Sequence, residues 1–263
     1  MGHFSISHAN SIAPIIETGA PVVAFSRGVV ISTFVLIHGG GHKAKHWELL
    51  RPILEQAGHR TIAPDVPMDV VGLGATEWAD VVVDAITRTG DEGDVILVGH
   101  SLAGLVLPVI AVKTPIQRMV FLCALVPTPG QSWGAYVTDN PSASTMPWGR
   151  VIIDDQNRMV MPWDLVRERF YQDCDEDQAR AAFQLVVPTA QTAIDELCPI
   201  DAWPNVPSTY ILCQDDLLIA HDWSRQIAVE RFGAPALELP GSHSPMLSRP
   251  DQLATVLDTI SKQ

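Results

Sequence analysis

The stretch Val95-Ile-Leu-Val-Gly99-His100-Ser101-Leu102-Ala103-Gly104 decides how the rest of this chain is interpreted. Its first four residues are apolar and mostly β-branched, which predicts a buried strand, and residues 102–112 predict the helix that follows. Ser101 stands between them, with a glycine two positions before it and the small residues Ala103 and Gly104 after it. This pattern is typical of a nucleophile elbow, a sharp turn that exposes a serine hydroxyl at the carboxyl edge of a sheet. The alternative is a tight turn whose serine only caps the helix.

The composition of the chain restricts its class and its partners. With 263 residues, 47% of them hydrophobic and 18% charged, it predicts one large α/β domain with a substantial core. The net charge of −13 argues against nucleic acid or an anionic membrane surface as a partner. There is no apolar run of the roughly 20 residues that cross a bilayer, and the N-terminus lacks the pattern of a secretory signal. The four cysteines are scattered, which favours buried free thiols and a cytoplasmic location.

Outside the elbow, strand and helix patterns alternate along the chain. Strands are predicted at residues 34–37, 59–63, 118–123, 209–213 and 236–239, with helices at 47–56, 76–89, 223–232 and 252–260. This order predicts an α/β fold with a doubly wound, mainly parallel sheet. Residues 1–20 show no clear period, and residues 21–32 alternate weakly, as a short edge hairpin would.

The alternation stops at residues 127–205. This segment is rich in proline, tryptophan and methionine and has little strand pattern, although residues 175–187 predict a helix. We therefore assign residues 1–126 and 206–263 to the core and 127–205 to an inserted, mostly helical cap over the elbow. The alternative is a surface subdomain with a small core of its own. The candidate substrate-binding residues are Trp133, Trp148 and Trp163 in the cap and His42 in the core.

A serine nucleophile needs a base, and the base needs an acid that orients it. In folds with this elbow the order along the chain is serine, acid, histidine. Asp215 and Asp216 follow the predicted strand that ends at residue 213, and His243 lies in the loop after the strand that ends at residue 239. His221 is the other histidine downstream of the elbow, but it does not follow a strand end.

Acyl transfer also needs two N–H donors for the negative charge that develops on the carbonyl oxygen. The backbone of Leu102, directly after the serine, is one candidate. The other is Gly40, in the His-Gly-Gly-Gly stretch after the first core strand. His38, His42 and His46 recur every four residues, but glycines interrupt that span, and we predict no metal site.

Several pieces of the chain together resemble the α/β-hydrolase superfamily, and are most similar to its branch of plant methyl-ester esterases and hydroxynitrile lyases. These pieces are residues 34–39, His42, Trp47, and residues 99–104, 120–122, 213–216 and 241–246, with further similarity at 170–188. The resemblance implies that Ser101 is the nucleophile, His243 the base and Asp216, not Asp215, the orienting acid. It also implies an enzyme without a cofactor, and a family whose members are often homodimers.

Two positions differ from the lyases of that branch, which carry threonine after the loop histidine and lysine after the catalytic histidine. This chain has Gly39 and Ser244 there. We therefore expect a serine hydrolase that cleaves a carboxylic ester or lactone of a small, largely apolar molecule through an acyl-enzyme. The alternatives are a lyase or cyclase that uses the same Ser-His pair, and a ligand receptor on a hydrolase fold.

Overall fold

A computed structural model of the protein describes residues 31–90 and 94–263. The edge hairpin predicted at 21–32 lies almost wholly outside these residues. Among the helices of the described segments, none is long and apolar enough to cross a membrane. The strands, in chain order, are β1 (Thr33–Ile37), β2 (Arg60–Ile62), β3 (Val95–His100), β4 (Arg118–Leu122), β5 (Ile152–Ile153), β6 (Arg158–Val160), β7 (Thr189–Ala190), β8 (Ser208–Cys213) and β9 (Leu237–Leu239).

The α-helices of the described segments surround these strands. They are α1 (Arg51–Gln56), α2 (Ala75–Thr89), α3 (Leu107–Lys113), α4 (Trp133–Asp139), α5 (Trp163–Arg169), α6 (Glu176–Phe183), α7 (Thr192–Asp195), α8 (His221–Phe232), α9 (Pro245–Ser248) and α10 (Pro250–Ser261). The helices predicted at residues 47–56 and 102–112 begin later in the structure than the sequence indicated. Short 3-10 helices at Ala44–Trp47 and Ser101–Leu105 precede α1 and α3, whose first turns contain Pro52 and Pro108. Proline lacks the N–H that would continue a preceding helix, so it favours a new start.

Six strands form one parallel sheet in the order β2-β1-β3-β4-β8-β9. All residues of β1 and β3 are buried, as expected for strands covered on both faces. Val35 and Ile37 contribute to the core on one face, and Phe34 and Leu36 to the core on the other. Helices α2, α3 and α8 cover the first face, while α1 and α10 cover the second. The predicted doubly wound α/β fold is therefore confirmed.

The segment between β4 and β8 contains α4 to α7 and the short strands β5, β6 and β7. These strands form a three-stranded antiparallel sheet in the order β5-β6-β7. The sequence indicated little strand structure here, because strands of two or three residues are too short to show alternation. The helix predicted at 175–187 ends at Phe183 instead.

Candidate active site

Ser101 occupies the sharp turn between β3 and the 3-10 helix that follows it. Its φ of +52° lies in the left-handed region, which a residue with a side chain adopts at a cost of about 1 kcal/mol or more. The turn is possible because its flanks are small. A Cβ on Gly104 would overlap the carbonyl oxygen of Leu125, and one on Gly99 would lie 2.8 Å from the side chain of Leu107. Ser101 itself is partly exposed and lines a cavity.

Asp216 and His243 follow β8 and β9, at the same sheet edge as Ser101. His243 Nδ1 lies 2.8 Å from Asp216 Oδ2, and both residues are buried. Asp216 Oδ1 accepts from the backbone N–H groups of Leu218 at 2.7 Å and Ile219 at 3.2 Å. Because a carboxylate only accepts hydrogen bonds, His243 Nδ1 donates, and the lone pair is on Nε2. That Nε2 atom is buried and has no partner among the described residues.

The two neighbouring aspartates lie in different environments. Asp215 is exposed, and its backbone N–H donates to the carbonyl oxygen of Gly241 at 3.0 Å. His221, the other downstream histidine, is the first residue of α8 and is not part of this arrangement. The structure therefore brings Asp216 and His243 together, and neither Asp215 nor His221.

His100 holds the backbone of the His243 loop. Its Nε2 atom lies 2.8 Å from the carbonyl oxygen of His243, and the two rings are 4.7 Å apart between centroids. A carbonyl only accepts, so Nε2 carries the proton. Burial lowers the pKa of His100 well below its usual value, because a charged ring would lose its hydration. His100 is thus a neutral donor to the loop, a role that its position in the elbow motif did not indicate.

The loop after β1 contains Gly40, and His38 holds its backbone. His38 Nδ1 lies 3.0 Å from the carbonyl oxygen of Gly39, which also accepts from the N–H of His42 at 3.2 Å. His38 Nε2 accepts from the N–H of Val66 at 3.0 Å, so Nδ1 is the protonated nitrogen. Burial lowers the pKa of His38 to about 4. The C=O and N–H of one trans peptide point in opposite directions, so the N–H of Gly40 points away from His38.

His42 does not line the cavity in front of Ser101, so the structure does not place it where the prediction of substrate binding expected it. It is 3% exposed, and its Nε2 atom hydrogen-bonds the Tyr171 hydroxyl at 2.7 Å. Its ring packs against those of His46 and His100 behind the elbow. Burial, followed by the nearby His46, lowers the pKa of His42 well below its usual value. His42 therefore helps to join the cap to the core, since Tyr171 belongs to the cap.

The cavity in front of Ser101 has about 620 Å³ of empty space, its open mouth included. Its lining is mainly apolar, and several of its walls come from the cap. The cap residues at the cavity include Trp133, Met146, Trp148, Met159, Met161 and Thr189. Trp133 and Trp148 therefore lie at the cavity, as expected for the residues that we predicted to bind substrate. Thr189 was missed, because nothing in its local sequence marks it.

Trp163 does not line this cavity either, and its predicted binding role stays a prediction without support from the lining. Its ring packs edge-on against Phe183, with centroids 5.2 Å apart. The Arg180 guanidinium lies 4.7 Å above the ring centroid. These contacts join α5 to α6, and Trp163 belongs to the packing of the cap itself, as the subdomain alternative expected for some of these side chains.

Within the described residues, one group of potential metal ligands comprises Cys123, Asp216 and His243, whose ligand atoms lie within 4.8 Å of one another. Asp216 and His243 already hydrogen-bond each other. Burial raises the pKa of the Cys123 thiol well above its usual value, which disfavours the thiolate that a metal would need. The donor chemistry of this group therefore suits an acid–histidine pair better than a metal.

Comparison with known proteins agrees with this geometry. A model of the Alpha/beta hydrolase family matches residues 34–256. Methylesterase 2 of Arabidopsis thaliana is 26% identical over 254 residues, an alignment that covers 87% of this chain and 95% of the relative. The pyrethroid hydrolase of Sphingobium wenxiniae is 26% identical over 246 residues, covering 87% of each chain.

The fold also resembles solved structures. The crystal structure of polyneuridine aldehyde esterase superimposes with a TM-score of 0.73 and 23% sequence identity, covering 88% of this chain and 99% of the other. At this identity the similarity establishes a shared fold, while the family match rests on the sequence.

Proposed function

The chain belongs to the alpha/beta hydrolase family and is an enzyme of the carboxylesterase type, and we propose that it works through Ser101, His243 and Asp216. One observation carries the proposal. The hydrogen bond between His243 and Asp216 leaves His243 Nε2 unpaired at the sheet edge where the elbow presents Ser101. A histidine oriented by a carboxylate, with its other nitrogen free at the sheet edge that carries a serine hydroxyl, is the arrangement that activates a serine.

In the proposed reaction, Ser101 Oγ attacks the ester carbonyl carbon while its proton passes to His243 Nε2. Asp216 stabilises the imidazolium that forms, and the carbonyl oxygen becomes an oxyanion. When the tetrahedral intermediate collapses, the C–O bond to the alcohol breaks, and His243 gives the proton to the departing oxygen. A water molecule, deprotonated by His243, then attacks the acyl-enzyme and releases the carboxylic acid and free Ser101.

The oxyanion is bound in this proposal by the N–H groups of Leu102 and Gly40. Leu102 is the second residue of its 3-10 helix, and its N–H has no carbonyl to bond within that helix. Gly40 lines the cavity, and the hydrogen bonds on the Gly39 carbonyl aim the next N–H away from His38. Donors held in place before the reaction need no rearrangement when charge develops, and each is worth about 10²–10³ in rate.

The proposed substrate is an ester or lactone of a small, largely apolar molecule. Tryptophan, methionine and aliphatic side chains line most of the cavity, which favours apolar groups over charged ones. The named activities of the relatives, methylesterase and pyrethroid hydrolase, support an ester of this kind. No step requires a cofactor. We also propose a cytoplasmic location, which the four buried free cysteines support.

The decisive test is Ser101→Ala, measured with 4-nitrophenyl butyrate and a fluorophosphonate probe. We expect ester turnover to fall by about 10³-fold or more and stoichiometric labelling to disappear, because no other group replaces the nucleophile. The thermal unfolding midpoint is expected to stay unchanged, since Ser101 is partly exposed. Ser142→Ala, at an exposed position, is the matched control. Turnover of Ser101→Ala within about tenfold of wild type, about 1.4 kcal/mol in barrier, would contradict the proposal.

A further inference from the structure

Thr189 places an unpaired hydroxyl in the wall of the cavity. The residue is 3% exposed, and its Oγ1 atom has no hydrogen-bond partner among the described residues. A buried hydroxyl without a partner costs about 1–3 kcal/mol, whereas a valine of the same shape would carry no such cost. The other cap hydroxyl in the lining is committed, because Ser144 Oγ accepts from the N–H of Met146 at 3.2 Å. Thr189 is therefore a cavity-lining residue whose buried hydroxyl has no hydrogen-bond partner among the described residues.

Thr189 lies close to Gly40. A Cβ built on Gly40 would lie 3.2 Å from Thr189 Oγ1 and 3.1 Å from a methyl carbon of Leu102. A side chain on Gly40 would thus press against Leu102 and against both branches of Thr189, whose Cγ2 atom is also 3.2 Å away, so the glycine lets these two side chains approach the backbone closely. The same three residues line the cavity together with Ser101. The Thr189 hydroxyl therefore lies next to the backbone of Gly40, whose N–H is one of the two proposed oxyanion donors.

The backbone around Thr189 is fixed to the core on both sides. The N–H of Val187 donates to the carbonyl oxygen of Gly41 at 2.9 Å, and the N–H of Ala190 donates to that of Met68 at 2.8 Å. Within the cap, Thr189 is paired with Met159 between β7 and β6. A donor on such a support is held in place before the reaction, which is the condition for strong stabilisation of a developing charge.

We propose that Thr189 is a further catalytic residue, whose hydroxyl donates a third hydrogen bond to the oxyanion of the tetrahedral intermediate. This inference rests on the proposed serine-esterase function and adds a side-chain donor from the cap to the two backbone donors of the core. The Thr189 hydroxyl keeps its proton throughout and takes part only as a donor.

The test compares Thr189→Val, which keeps the shape and removes the hydroxyl, with Thr189→Ser, which keeps the hydroxyl. For 4-nitrophenyl butyrate we expect Thr189→Val to lower kcat by about tenfold or more with KM within about twofold, because the lost bond exists only in the transition state. Thr189→Ser is expected to retain kcat within about threefold. The unfolding midpoint of Thr189→Val should equal or exceed that of wild type, since a buried unpaired hydroxyl is removed. Thr255→Val, at an exposed position of α10, is the matched control.

A trifluoromethyl ketone gives a second measurement. Ser101 Oγ adds to its carbonyl carbon, the serine proton passes to His243, and the ketone oxygen becomes an oxyanion that occupies the same place. We expect its inhibition constant to rise in Thr189→Val by about the same factor as kcat falls. If Thr189→Val kept both its kcat and its inhibition constant within about threefold of wild type, the proposal would be overturned. A raised KM with an unchanged kcat in this variant would overturn it as well. If the wild type itself failed to hydrolyse esters, the proposed function would be at fault instead.

Discussion

At the scale of single residues, the environment of a side chain decides its role more than its chemical type. Asp215 and Asp216 are adjacent, yet only Asp216 is buried, bonded to His243 and bonded to two backbone N–H groups. The residue pattern left both aspartates open, and the resemblance to a family selected Asp216. The structure supplies the physical reason, because one carboxylate faces the base and the other faces solvent.

Asp216→Asn is expected to lower kcat by about 10³–10⁴-fold, because an amide in its place favours the wrong tautomer of His243. Asp215→Asn is the matched control and should keep kcat within about threefold, since its carboxylate is exposed. Steady-state kinetics on a nitrophenyl ester measure both. Equal losses in the two variants would show that the assignment of the acid is wrong.

Gly39 also has a role that its environment explains. A Cβ at this position would lie 2.9 Å from the Cβ of Ser101 and 3.0 Å from the carbonyl oxygen of His100. The threonine that hydroxynitrile lyases carry here would therefore push against the nucleophile in this chain. Gly39 therefore lets the loop after β1 approach the elbow closely, and this chain lacks the hydroxyl that the lyases carry at this position.

At the scale of secondary-structure elements, the core could be predicted from sequence, but much of the cap could not. The central strands β1, β3, β4 and β8 of the large sheet are mostly buried, so each appears in the sequence as a short apolar run. The cap strands β5 and β7 have two residues each, too few to show alternation, and β7 pairs with β6 through residues as far apart in sequence as Met159 and Thr189. Thr189 is 88 positions from Ser101 in the sequence, so no local pattern connects the two residues.

The two predicted binding residues that lie away from the cavity, His42 and Trp163, were misplaced for the same reason. Trp163 and Trp148 belong to the same residue type and the same segment, and only tertiary packing separates them. Trp148 lies at the cavity and is 45% exposed, whereas Trp163 packs between Phe183 and Arg180. The partner of His42 is Tyr171, 129 positions away, and a spacing pattern within the first loop does not contain that information.

The two tryptophans provide a paired test of the cap. We expect Trp148→Ala to raise KM for a naphthyl ester about five- to tenfold, since roughly 1 kcal/mol of apolar contact is lost, and to leave the unfolding midpoint unchanged. Trp163→Ala should instead lower the free energy of unfolding by about 2 kcal/mol, less than for a fully buried tryptophan, and leave KM unchanged. Ester kinetics and urea unfolding distinguish the two effects. If Trp163→Ala raised KM as much as Trp148→Ala, the division of roles would be wrong.

At the scale of the whole molecule, the charge state of buried histidines links stability to pH. Burial lowers the pKa of His38, His42, His46 and His100, and that of His38 to about 4. In the unfolded chain these rings titrate near 6.5. Below that pH the unfolded state binds more protons than the folded state. The stabilisation is therefore complete above about pH 6.5 and is lost as the pH falls toward the folded-state pKa values.

We expect the free energy of unfolding to decrease from pH 6.5 to pH 4.5, with His38 alone contributing about 3 kcal/mol over its full range. Urea unfolding at several pH values measures this. In His38→Gln, the glutamine amide can accept a hydrogen bond from Val66 and donate one to Gly39. The variant should reduce the slope of the free energy of unfolding against pH by about one proton, or about 1.4 kcal/mol per pH unit. A free energy that stayed constant between pH 7.5 and pH 4.5 would contradict the assignment of neutral buried rings.

The hydrogen bonds of Val187 to Gly41 and of Ala190 to Met68 have a consequence for protein engineering. Specificity in such enzymes is an obvious target for chimaeras, in which the cap of one relative replaces that of another. In this chain Val187 supports the loop that contains Gly40, so we expect an exchange across the whole insertion to affect the proposed oxyanion site as well. A chimaera whose downstream junction precedes residue 187 would keep residues 187–190 of this chain together with the core that they contact.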